Sequence, residues 1–213
     1  MREGLLGPLW STRGRRIVLF LSGIVALTAA IASAGDQKNA QSALSLPLPF
    51  LGVLLAGDVR ATPVLLWPLW PRIAASTTAG IAGALFAFTC CAIASGDWSA
   101  APLPGSLAVQ VVAVLIGLGF GLLIRHPWLA MLTDAVAPVG LWAVAGAAGL
   151  QSARRWLFPY GNVDHLTSAR PLPIDWAREA VIVLVWVIGL LAVASRRTRH
   201  GNRHTADTGP SSP

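Results

Sequence analysis

Charge is what this sequence has least of. Aspartate, glutamate, lysine and arginine together make up 12% of its 213 residues, about half the ~25% usual in soluble domains. A chain with so few groups to face water is not a soluble globular domain. Lysine occurs once, at Lys38. No Gly-x-x-x-x-Gly-Lys-Ser/Thr phosphate loop exists, and nucleotide hydrolysis of that type is excluded with it. Glutamate occurs only at Glu3 and Glu179, and histidine only at His126, His165, His200 and His204. Neither a His-Glu-x-x-His zinc pair nor a nucleophile with its base can be assembled at workable spacing. An enzyme is therefore not expected. The only cysteines, Cys90 and Cys91, are neighbours in an apolar run. Adjacent cysteines do not form an ordinary structural disulfide, and no histidine or acid lies near them in sequence. They read as small apolar helix residues, and no metal site is expected.

What the chain does have is apolar length: 54% of it is hydrophobic. Six stretches approach or exceed the ~18 residues that cover about 27 Å of hydrocarbon as a helix. They run from Ile17 to Ala34, Leu44 to Gly57, Ile73 to Ile93, Leu107 to Ile124, Trp128 to Leu150 and Ala180 to Ala194. Soluble helices of that length would show a polar stripe every third or fourth position; these do not. The expected fold is an all-α membrane protein of six transmembrane helices, forming one domain over residues 1–199. The polar tail 200–213 is expected to be disordered. The second stretch, short and holding Pro47 and Pro49, is the least regular. The first also carries signal-peptide features, a basic start and Ala32-Ser33-Ala34. Its apolar run is long for that role, and the rest of the chain is itself membrane-embedded, so a retained span is expected.

The net charge of +7 does not point to nucleic acid, because the basic residues sit at the ends of apolar runs. Short cytoplasmic loops collect lysine and arginine. With a cytoplasmic start, eleven of the sixteen fall inside: Arg2, Arg13, Arg15, Arg16, Arg60, Arg72, Arg125, Arg196, Arg197, Arg199 and Arg203. Lys38, Arg154, Arg155, Arg170 and Arg178 fall outside, the last four in one long loop, 151–179. Both termini are therefore expected in the cytoplasm.

Few residues stand out as functional. Asp134 is the one acid inside an expected span, at a cost of up to about 2.5–3.5 kcal/mol on insertion scales. Such groups face a bundle interior or a wet cavity. Asp134 and Arg125 are candidates for a pathway or gate, and a structural hydrogen bond or snorkelling of Asp134 is the alternative. Gly117 and Gly121 have the Gly-x-x-x-Gly spacing that lets helices approach closely. Pro138 is expected to kink its span. Residues 58–72, Asp-Val-Arg-Ala-Thr-Pro-Val-Leu-Leu-Trp-Pro-Leu-Trp-Pro-Arg, bracket an apolar stretch too short and too proline-broken to cross a bilayer. Trp67 and Trp70 suit the headgroup region. The segment is either an interfacial anchor or a docking element. In the loop 151–179, Arg154, Arg155, Trp156, Phe158 and Tyr160 suit an interfacial helix.

In this order the motifs resemble the permease subunits of ABC-2-type ATP-driven exporters. Asp58, Arg60, Thr62, Pro71 and Arg72 are similar to that family's acid and arginine after span two and proline-arginine before span three. Ile116-Gly-Leu-Gly-Phe-Gly-Leu-Leu-Ile-Arg125 resembles its glycine-rich fourth span, and Trp156-Leu-Phe-Pro-Tyr-Gly161 the segment before its last helix. Asp58 stands where the family usually has glutamate, and three prolines interrupt the inner loop. The resemblance covers residues 10–199. It implies an exporter component of the cell membrane whose residues Asp58, Arg60, Thr62, Trp67, Trp70, Pro71 and Arg72 dock a cytoplasmic ATP-binding subunit. ATP and magnesium would sit on that partner, with none in this chain. A second permease copy or a paralogous chain would complete the complex. The cargo is unnamed, though such apolar spans suit an amphipathic one. The competing class is a non-transport membrane anchor or assembly factor.

Overall fold

The computed structural model describes residues 12–33, 35–57, 70–159, 162–168, 170–194 and 196. Regular structure among them is entirely helical. Six helices are long and apolar enough to cross a membrane: Arg13–Ala32, Lys38–Ala56, Trp70–Ser95, Leu103–Leu123, Pro127–Ala147 and Pro173–Ala194. These are spans one to six, and they make the chain a multi-pass membrane protein. Nothing in their sequences favours helix over strand as strongly as the solvent does. In hydrocarbon a lone segment must satisfy its own backbone, and a helix does so. Even the hydroxyls turn inward to the backbone: Ser22, Thr28, Thr78, Thr89, Ser106 and Thr133 each donate to the carbonyl four residues back.

Span two is longer and more irregular than its apolar run implies. The helix Gln37–Leu44 starts at Asp36, whose carboxylate accepts from the Lys38 amide at 3.0 Å. It stops in a turn at residues 45–48 and resumes as Pro49–Ala56. The expected start at Leu44 was too late because the first half is polar. Its polar group is nevertheless buried and bonded. Gln41 Nε2 donates to the Ala84 carbonyl of span three at 3.1 Å. Gln110 Nε2 of span four donates to the Gln41 carbonyl and to its Oε1 at 2.7 and 2.9 Å.

Span six likewise begins at Pro173, not Ala180. Asp175 accepts from the Leu172 amide at 2.9 Å and pairs with Arg178 at 3.0 Å, so a charged first turn is tolerated. Its middle, Val183–Ile188, widens to a π-helix. The connection expected over 151–179 shrinks to the short helices Gln151–Leu157 and Val163–Leu166 with their turns. Arg178 and Glu179 belong to span six, so Asp134 is not the only acid in a span.

Spans two and four form the centre. In each, 61% of the apolar window is buried, against 17% for span five. Leu51 and Leu55 of span two pack on Val114 and Leu118 of span four, with Ala75 and Ala79 of span three beside them. Close approach depends on glycine. A side chain at Gly117 would strike the Pro49 carbonyl, and one at Gly121 would come within 2.7 Å of Ala56 Cβ. The expected helix packing at Gly117 and Gly121 is thus between spans two and four of one chain. At one end of this pair Arg15 of span one, 1% exposed, donates through Nη2 to the Leu54 carbonyl at 2.9 Å.

Candidate functional site

Two prolines shape the centre of the bundle. Proline has no N–H, so within a helix it leaves the carbonyl four residues earlier without its usual donor. Pro138 does this to Asp134 inside span five, and Pro49 opens the second half of span two after its break. Ser45, Pro49, Asp134 and Pro138 all line one cavity. Its apolar wall is Val109, Val112 and Ile116 of span four. Glu179 of span six and Val163 of the preceding short helix complete it. About 440 Å³ is free of atoms here, counting the open mouth, and about 30 Å³ of that admits the centre of a water molecule. That inner space suits about two waters.

The polar groups around this space are acceptors. Asp134 is 4% exposed, and among the described residues no side chain or backbone group donates to its carboxylate. Glu179, 6% exposed, accepts from Asn162 Nδ2 at 3.1 Å on Oε2. Asn162 also donates to the Asp175 carbonyl at 2.9 Å. With both amide hydrogens committed to acceptors, the amide is fixed in orientation, and its Oδ1 has no donor. The Ser45 hydroxyl gives its proton to the Ser42 carbonyl at 2.7 Å, so its lone pairs remain available. Among the described residues no arginine, lysine or histidine lines the cavity. Burying unpaired carboxylates in an apolar surround is expensive, and here two carboxylates border the same space.

The residues expected from sequence are placed unevenly. Asp134 lies in the site. Arg125 does not: it is exposed in the turn between spans four and five, outside the cavity lining. Trp70 and Pro71 are exposed at the start of span three, and Arg72 lies in its first turn. Asp58, Arg60, Thr62 and Trp67 lie outside the described residues. Cys90 and Cys91 are free thiols of span three, Cys91 buried. In the connection before span six, the Arg154 guanidinium stacks 3.4 Å from the Trp142 ring centroid of span five, a cation–π contact. Trp186 Nε1 of span six donates to the Leu157 carbonyl at 2.6 Å. These contacts pin the helix Gln151–Leu157 to the bundle.

Glu179, Ser45 and Asn162 went unnoticed in the sequence. Glu179 lies before the apolar part of span six and reads as a loop residue. The spacing Asp134-x-x-x-Pro138 was the available signal, since the proline frees the carbonyl four positions back. Comparisons with protein-family models, with curated proteins and with solved structures find no match.

Proposed function

We propose that this chain is the membrane-spanning permease subunit of an ATP-driven exporter of the ABC-2 type, seated in the cell membrane with both termini in the cytoplasm. The observation that carries a transport role is Asp134, a carboxylate buried in a span without a donor among the described residues and bordering a cavity beside two proline-interrupted helices. An anchor or assembly factor has no use for such a group, which lowers stability where it stands. Interrupted helices around a central cavity are how membrane carriers expose backbone and side-chain groups to cargo. The ABC-2 assignment rests on the order of motifs from Asp58 to the arginines after span six, and on the lack of a phosphate loop in a chain built for transport. ATP and magnesium would then be held by a separate cytoplasmic subunit docking on residues 58–72. The Arg15 contact with the Leu54 carbonyl supports this reading, because it ties span one to the stretch from which that segment departs.

The test is affinity purification of the tagged chain in mild detergent from its own host, with mass spectrometry of its companions. Recovery of a soluble subunit with a phosphate-loop motif, lost on replacing Arg60 and Arg72 together by alanine, is the expected result. Repeated recovery of the intact chain with no ATPase would replace the exporter by an anchor or assembly factor.

A further inference from the structure

We infer that the cavity between spans two, four, five and six binds the head of a primary ammonium ion carrying an apolar tail. The inference deepens the exporter reading, and only the ligand's role as cargo rests on it; binding itself follows from the site.

The polar inventory is one-sided. The cavity is lined by Asp134 and Glu179, whose carboxylates are buried, and by Ser45, whose hydroxyl proton is committed elsewhere. All are acceptors, and among the described residues no basic side chain lines the cavity to answer them. A ligand that satisfies such a set must bring donors and positive charge. An ammonium group brings three N–H donors on a compact cation, whereas a quaternary ammonium brings charge without donors.

The walls argue for the tail. Eight of the eleven lining residues are aliphatic or proline, among them Val112, Ile116 and Pro138. A site for a bare metal ion would be oxygen on most sides, since hard cations take six or more oxygen ligands. Among the described residues no group of three or more histidine, cysteine, aspartate or glutamate side chains is placed to hold a metal.

The experiment uses the full-length chain in phosphatidylcholine nanodiscs, with n-hexylammonium chloride titrated calorimetrically in a sodium-free buffer and empty nanodiscs subtracted. Saturable binding of one hexylammonium per chain is expected. Asp134→Asn and Glu179→Gln should each weaken it at least tenfold, and n-hexanol, which has the tail without the charge, should not saturate the site. Val112→Phe, which fills the apolar wall and leaves both carboxylates, should also weaken hexylammonium. It serves as the check should a carboxylate variant lose its helical circular dichroism. The inference is overturned by absence of saturable binding to the native chain, by undiminished binding to folded Asp134→Asn and Glu179→Gln, or by equal binding of hexanol. Sodium chloride saturating the site and excluding hexylammonium would overturn it too, in favour of an inorganic cation. An ATPase that co-purifies while hexylammonium fails to bind leaves the exporter reading intact without this site. Binding without an ATPase does the reverse.

Discussion

Single residues in this bundle act mainly by what they leave room for. Gly117 lies where the Pro49 carbonyl of span two meets span four, so any side chain there meets backbone, not a side chain that can turn away. Overpacking of this kind costs about 1–3 kcal/mol, and Gly117→Val should fall at the upper end. Gly140 of span five has nothing within 4 Å of a built Cβ, so Gly140→Val should leave stability within about 0.5 kcal/mol. Parallel denaturation of the two variants in one detergent decides whether close helix approach or glycine content matters. Arg15 makes a different contribution. Its guanidinium meets the Leu54 carbonyl in the last turn of span two, where the helix dipole is negative. Hydrogen bonds to charged groups are worth about 1.5–3 kcal/mol when buried. Arg15→Ala should therefore destabilise the chain by about 2 kcal/mol, while Arg16→Ala, at an exposed position, should not. Equal effects of the two would mean that the basic cluster acts only as an orientation signal.

At the scale of elements, the broken helices are the point where stability and function part. Pro138 stands inside span five, where an interior proline costs on the order of 3 kcal/mol relative to alanine. Pro138→Ala returns an N–H to the Asp134 carbonyl and should raise thermal stability. The same change straightens the helix that carries Asp134 to the cavity, so hexylammonium affinity should fall. A rise in both, seen in one melting and titration series, would separate the proline from the site. The sequence is most readable where a single property decides. Apolar length sets the number of spans, because hydrocarbon leaves a lone segment no choice but helix. It misplaces two boundaries, and for one reason. Gln41 is polar but buried against Ala84 and Gln110, and Asp175 is charged but tied to Leu172 and Arg178. A polar group whose partner lies far along the chain looks the same in sequence as one bound for water. Asp134 was legible because it stands alone in an apolar run. Glu179 was not, since only the packing of spans five and six on span four brings the two to one cavity.

For the whole molecule the surface is as informative as the core. Phe20 and Trp128 are 70% and 75% exposed, and Ile24, Leu132, Val136 and Leu184 are exposed as well. A belt of this kind suits the lipid-facing perimeter of a multi-pass membrane protein, without saying which end faces the cytoplasm. The ends sort themselves. Gly35, Asp36, Asp97, Ser99, Thr167 and Ser168, from the connections after spans one, three and five, line a single depression. The turn after span four, with Arg125 and His126, follows the opposite end of that helix. Six spans alternating in this way put the start of span one and the end of span six on the same face as Arg125. We propose that this face is cytoplasmic on the positive-charge rule, since the exposed connection at 97–99 carries no arginine or lysine and the turn at 125 carries one. The prediction is therefore directional. In a chain with Cys90 and Cys91 replaced by alanine, Ser99→Cys should react with a membrane-impermeant maleimide on intact cells. His126→Cys should react only after permeabilisation. The reverse pattern would put residues 58–72 outside the cell, beyond the reach of any cytoplasmic ATPase. Labelling of both sites on intact cells would break the six-span alternation itself, and with it the geometry that sets Asp134 and Glu179 around a common cavity within the bilayer.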